Sequence, residues 1–113
     1  MLQRRYRLRS RHDFNRVYRG GHAARSPLLV IRSLPNGLDI NRAAVVVSTK
    51  VAKRAVIRNR ARRRLIAQLG QLWPQLAPGH DLVISLSGDP GTLSTPELMA
   101  QLRSCLKRLR LLR

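Results

Sequence analysis

The chain has 113 residues, which suits one domain, and is 43% hydrophobic but only 4% aromatic, so its core must be built from Leu, Val, Ile and Ala. Its 23 Lys and Arg against 5 Asp and Glu give a formal net charge of +18, a self-repelling surface that calls for a polyanionic partner. No run of about 18 apolar residues exists to cross a bilayer, a single cysteine excludes an internal disulfide, and the arginine-rich start lacks the apolar stretch of a signal peptide.

Residues 1–9 read as a basic N-terminal arm carrying Arg4, Arg5, Arg7 and Arg9, without apolar period and mobile when free; residues 10–113 read as a single binding domain. Ser10 is placed to cap a helix over 11–19, with Asp13 at the third helical position. Phe14, Val17 and Tyr18 share one face of that helix, and Gly20-Gly21 ends it. Residues 28–34 read as an apolar strand. Pro35-Asn36-Gly37 marks a turn, and 43–49 reads as a second buried strand. The two are expected to pair as an antiparallel hairpin, with a short extra strand within 21–26.

The period then changes. Ile57, Ala61, Leu65, Leu69, Leu72 and Trp73 recur every three or four residues, predicting a helix over about 53–73 that Pro74 stops. Residues 81–86 are β-branched and apolar, a further strand, and Gly88-Asp89-Pro90-Gly91 breaks it. Ser94 or Thr95 caps a last helix with Pro96 at its first position and Glu97 in its first turn. Leu98, Leu102, Cys105, Leu106 and Leu109 form its buried stripe. The order helix, two or three strands, helix, strand, helix makes the fold class α+β, a single small domain with one mixed sheet covered by helices.

No enzyme site is legible. His12, His22 and His80 are scattered, Asp13, Asp39, Asp81, Asp89 and Glu97 are dispersed, and no spacing suits a metal, a nucleophile or a phosphate loop. No catalytic or metal-binding residue is therefore assigned. Arginines outnumber lysines, and arginine grips phosphate bidentately and stacks on bases. Lys50, Lys53, Arg54, Arg58, Arg60, Arg62, Arg63 and Arg64 crowd one short segment, and no acid lies between Val51 and Gln71. An ordinary solvated face mixes signs, so this segment points to nucleic acid. Arg54, Arg58 and Arg62 fall at successive helical turns, about 6 Å apart, near the phosphate spacing of a single strand. Asn59 sits among them with an amide that both donates and accepts. Phe14 and Tyr18, one turn apart beside Arg11, Arg16 and Arg19, suit either core packing or base stacking.

These segments resemble the bacterial ribonuclease P proteins. Lys50 to Leu65 is similar to that family's "RNR" signature, here Arg58-Asn59-Arg60. Val45 to Lys50 looks like the strand before it, Asp13 to Gly21 like the first helix, and Asp81 to Ile84 like the strand after. The resemblance implies an αβββαβα order, a four-stranded sheet and a left-handed crossover between parallel strands. It implies that Lys53, Arg54, Arg58, Asn59, Arg60, Arg62 and Arg63 bind the ribonuclease P RNA, and that Phe14, Tyr18 and Lys50 line a cleft for the single-stranded 5′ leader of precursor tRNA. It further implies an endoribonuclease whose RNA subunit carries the catalysis with Mg2+ held by RNA and substrate, the protein alone being inactive. A cytoplasmic location, no membrane partner and no obligate protein partner go with it. Leu28 and Leu29 stand where the family often has aromatics. The competing readings are a ribosomal or RNA-chaperone protein, which shares the charge and element order but acts on ribosomal RNA; a self-sufficient nuclease, which needs the clustered acids this chain lacks; and a basic membrane-surface protein, which predicts liposome binding.

Overall fold

The computed structural model describes residues 3–88, 91 and 93–112; Asp89 and Pro90 of the expected break lie outside them. The helices are α1 (Arg11–Gly20), α2 (Ala55–Leu72) and α3 (Thr95–Arg108), and the strands are β1 (His22–Arg25), β2 (Leu29–Pro35), β3 (Arg42–Val46) and β4 (His80–Leu86). Local chemistry sets several boundaries. The Ser10 hydroxyl accepts from the Asp13 amide at 3.5 Å, and the Ser94 hydroxyl from the Glu97 amide at 3.2 Å. Each satisfies one amide that the first helical turn leaves without a partner. After α2 the chain tightens into a 3-10 turn, Trp73–Gln75, because Pro74 cannot continue an α-helix.

The sheet order is β1-β2-β4-β3, with β1–β2 and β2–β4 antiparallel and β3–β4 parallel. The expected hairpin between residues 28–34 and 43–49 does not form. β4 lies between the two strands, and β3 reaches it through the α2 crossover that a parallel pair requires. Each central strand buries residues on both faces, four of seven in β2 and five of seven in β4, which is why their apolar runs carry no clean alternation.

The two faces of the sheet differ. One carries the main core, where Leu29, Ile31, Ala43, Leu82 and Ile84 meet Leu65, Leu69 and Leu72 of α2 and Leu98, Leu102, Cys105 and Leu106 of α3. Cys105 is buried there, as its place on the stripe predicts. The other face packs only a small cluster of Leu8, Val17 and Val83, flanked by Phe14, Leu34, Ala44 and Val46.

Residues 3–9 differ from a free arm. Leu8 is 4% exposed, its amide donates to the Ala43 carbonyl at 2.9 Å, and Arg7 forms a parallel bridge with Ala43. Tyr6 packs on Trp73 with ring centroids 5.6 Å apart. One aliphatic and one aromatic residue suffice to dock the segment, and two residues make no period.

Arg42 fastens this frame. Its Nε and Nη2 donate to Asp81 at 2.9 and 2.7 Å, its Nη1 lies 3.4 Å from Asp13, and Asn36 donates to Asp81 at 3.0 Å. The hydrogen bond to Asp81 raises the Arg42 pKa above its ordinary value, with burial acting the other way. Asp13 thus ties α1 to β3, and Asp81 ties β3 to β4.

Candidate nucleic-acid interface

Two basic surfaces are built on this frame. The first is the thinly covered sheet face. Register places Arg32, Val83 and Ala44 in one row across β2, β4 and β3, and Val30, Ser85 and Val46 in the next. α1 crosses one end of this face. Its last turn is held close to β2: a Cβ on Gly21 would meet the Val17 carbonyl oxygen at 2.5 Å and that of Ser33 at 2.8 Å. The glycine is required for this approach and not for a left-handed backbone, since its φ is −80°.

α1 divides the two aromatic candidates. Phe14 is half-buried and packs into the small cluster, whereas Tyr18 is 47% exposed. The guanidinium carbon of Arg32 lies 5.0 Å from the Tyr18 ring centroid, a cation–π arrangement. The result is a groove whose wall is α1 and whose floor is the row Val30, Ser85 and Val46, with Arg32 beside Tyr18. Leu29 is fully buried on the opposite face, so Val30 and not Leu29 supplies the floor. Lys50 is exposed in the turn that follows β3.

The second surface is α2. Ala61, Leu65, Gln68, Leu69 and Leu72 turn inward. Asn59, Arg60 and Arg63 are exposed along the outer side, and Lys53 and Arg54 are exposed just before the helix, which begins one residue after Arg54. The expected ladder of Arg54, Arg58 and Arg62 is broken. Arg54 is the residue before the first turn, with extended backbone. The Arg58 Nη1 folds back to donate to the carbonyls of Ala52 at 3.0 Å and Lys53 at 2.7 Å. Arg62 donates from Nη1 to the Asn59 side-chain oxygen at 2.8 Å. Asn59 therefore orients Arg62 and keeps its own amide N–H groups for a partner. Arg64 points away to the Leu93 carbonyl at 2.9 Å.

Among the described residues, no group of three or more His, Cys, Asp and Glu is placed to hold a metal ion. Asp13 and Asp81 are engaged with Arg42. Among the same residues no helix is long and apolar enough to cross a membrane. Sequence reading missed Arg32, although a lone charge within an apolar strand was a usable signal. It also missed the floor residues Val30, Val46 and Ser85, which nothing in a continuous apolar run marks as facing a groove.

A small mixed sheet with a cationic groove on one face and an arginine-rich helix beside it defines a basic α+β nucleic-acid-binding domain. The ribonuclease P family model matches residues 2–110. The chain is 41% identical over 114 residues to the ribonuclease P protein component of Synechococcus elongatus, covering 95% of this chain and 92% of that protein. It is 35% identical over 108 residues to that of Roseiflexus castenholzii, covering 95% and 88%. The Staphylococcus aureus RNase P protein superposes with a TM-score of 0.85 at 23% identity, over 96% of this chain and 98% of that one. The Thermotoga maritima protein gives 0.82 at 24% identity, over 90% and 96%. The chain belongs to the ribonuclease P protein family. It is accordingly a subunit of an endoribonuclease of tRNA processing, and its partner is the ribonuclease P RNA.

Proposed function

We propose that this subunit divides its work between its two basic surfaces: α2 binds the ribonuclease P RNA, and the groove beside α1 binds the single-stranded 5′ leader of precursor tRNA. The observation that carries the second assignment is the exposed Tyr18 ring with Arg32 over it, beside the more thinly covered face of the sheet. Unstacked bases lie on aromatic rings and guanidinium planes, each contributing about 1–3 kcal/mol. Lys50, beyond the end of β3, adds charge for the leader backbone.

On α2 the roles divide. Lys53, Arg54, Arg60 and Arg63 are exposed cations for phosphates, and Asn59 with Arg62 forms a paired contact. Arg58 acts through the backbone turn that it closes, presenting Lys53 and Arg54. Neutralising about 6–10 phosphates makes affinity fall steeply with salt.

Among the described residues no group of three or more His, Cys, Asp and Glu is placed to hold a metal ion, and Mg2+ is assigned to the RNA and the substrate. In this reading the RNA cleaves, and the protein holds the leader so that precursor is bound in preference to mature tRNA. Its setting is the cytoplasm. The test is the affinity of the assembled protein–RNA complex for precursor and for mature tRNA. Tighter binding of the precursor, growing as the leader lengthens over its first few nucleotides, supports the groove assignment. Equal affinity contradicts it.

A further inference from the structure

A separate concavity lies at the outer edge of β3. It encloses about 320 Å3 and is lined by Leu8, Ala43, Val45 and Ile66, with Arg9 and Arg62 among its polar residues. β3 is an outer strand of the sheet, bonded to β4 on one side. On the other side, Arg7 bridges to Ala43 and the Leu8 amide donates to the Ala43 carbonyl before the chain leaves towards the α1 cap. α2 closes the slot from behind with Arg62 and Ile66, one helical turn apart. Its walls are aliphatic, and none of its lining residues is acidic.

We propose that this slot takes one unstacked nucleobase of a bound RNA strand, with the attached ribose phosphate against Arg9 and Arg62. The inference rests on the reading that α2 binds RNA. A volume at the lower end of ligand pockets suits a single ring system. Aliphatic walls with a guanidinium rim match the two halves of a nucleotide, an apolar base and an anionic phosphate. The side-chain donors lining it are the guanidiniums of Arg7, Arg9 and Arg62, which suit a phosphate, and the rest of the lining is aliphatic, so the slot accepts any base and reads strand shape. It adjoins the sheet face that carries the groove, sharing Ala44 with the Arg32 and Val83 row, but opens at the β3 edge towards Arg62 and Ile66 of α2. Arg62, held by Asn59, joins the slot to the exposed side of α2, so a strand lying along Asn59 and Arg63 has the slot within a turn of its path. An acidic apolar peptide shares part of this chemistry, and the arginine-rich helix alongside favours RNA.

The test is an NMR titration of the full chain with AMP and, in parallel, with ribose 5-phosphate, which keeps the phosphate and lacks the base. The expected result is that AMP shifts the Leu8, Val45 and Ile66 methyl resonances and binds roughly tenfold more tightly than ribose 5-phosphate. Ile66→Ser is expected to abolish that difference while leaving the ribose 5-phosphate affinity unchanged; should the variant unfold, the wild-type comparison decides alone. Equal affinity for the two ligands overturns the proposal. So do base-dependent shifts confined to Tyr18 and Arg32, or an acidic peptide that moves the slot resonances where AMP does not. Cleavage assays keep the two readings apart. Rescue of ribonuclease P RNA by the wild-type protein with a negative titration sinks the slot alone, whereas failure of rescue sinks the function on which it rests.

Discussion

Arg32 of β2 lies over the Tyr18 ring of α1, with 5.0 Å between the guanidinium carbon and the ring centroid. A ring that is 47% exposed adds little to the core, and a cation held above it leaves the groove charged and half aromatic. Tyr18→Ala is therefore expected to leave thermal stability within about 0.5 kcal/mol of wild type. It should weaken precursor binding by about 1–3 kcal/mol with no effect on mature tRNA. Parallel binding measurements on the two RNAs check this, and an equal loss on both places Tyr18 outside the leader path.

Phe14 behaves differently. Half-buried against Leu8, Val17 and Val83, it holds α1 on the sheet. Phe14→Ala is expected to cost about 2 kcal/mol of stability, below the range for a fully buried ring. Chemical denaturation measures it. No loss of stability would return Phe14 to the groove as a base-stacking residue.

The arginines of α2 are predicted to separate into two kinds. Arg58→Ala removes two charge-assisted bonds to the Ala52 and Lys53 carbonyls and is expected to destabilise the fold by about 1 kcal/mol, a figure reduced for partial exposure. Arg60→Ala and Arg63→Ala should leave stability unchanged. Each should make the log–log dependence of RNA affinity on salt shallower by about 0.7–0.9. Melting curves and salt titrations on the three variants separate these outcomes.

Two backbone positions test the frame. Arg110 sits at φ 61° just past α3, where Arg110 and Leu111 donate their amides to the carbonyls of Lys107 and Leu106 and close the helix. Arg110→Gly is expected to stabilise the protein by about 1 kcal/mol, seen as a higher Tm. Gly21→Ala should cost about 1–3 kcal/mol, because the added carbon meets two carbonyl oxygens, while Gly20→Ala, 3.7 Å from the Leu34 side chain, is tolerated.

The helices were the most legible part of the sequence. α1 and α3 show their caps as well as their stripes, and α2 was marked by its stripe and by Pro74. Pairing was not legible. β2, β3 and β4 are each apolar runs that bury a face or two, and nothing in such a run names its neighbour. Strands adjacent in sequence pair often, and that preference favoured the hairpin that β4 displaces. At the site, the exposed cations of α2 could be read from composition. The inward turn of Arg58 and the lock between Asn59 and Arg62 could not, since both depend on where the chain before α2 runs. Phe14 and Tyr18 looked equivalent by spacing; the angle of α1 across the sheet buries one and exposes the other.

The most direct test of the account is cleavage of precursor tRNA by ribonuclease P RNA at low magnesium, with the protein, without it, and with the protein alone. The account predicts cleavage only when RNA and protein are both present. Cleavage by the protein alone, or no gain over the RNA despite tight, salt-sensitive RNA binding, would contradict it.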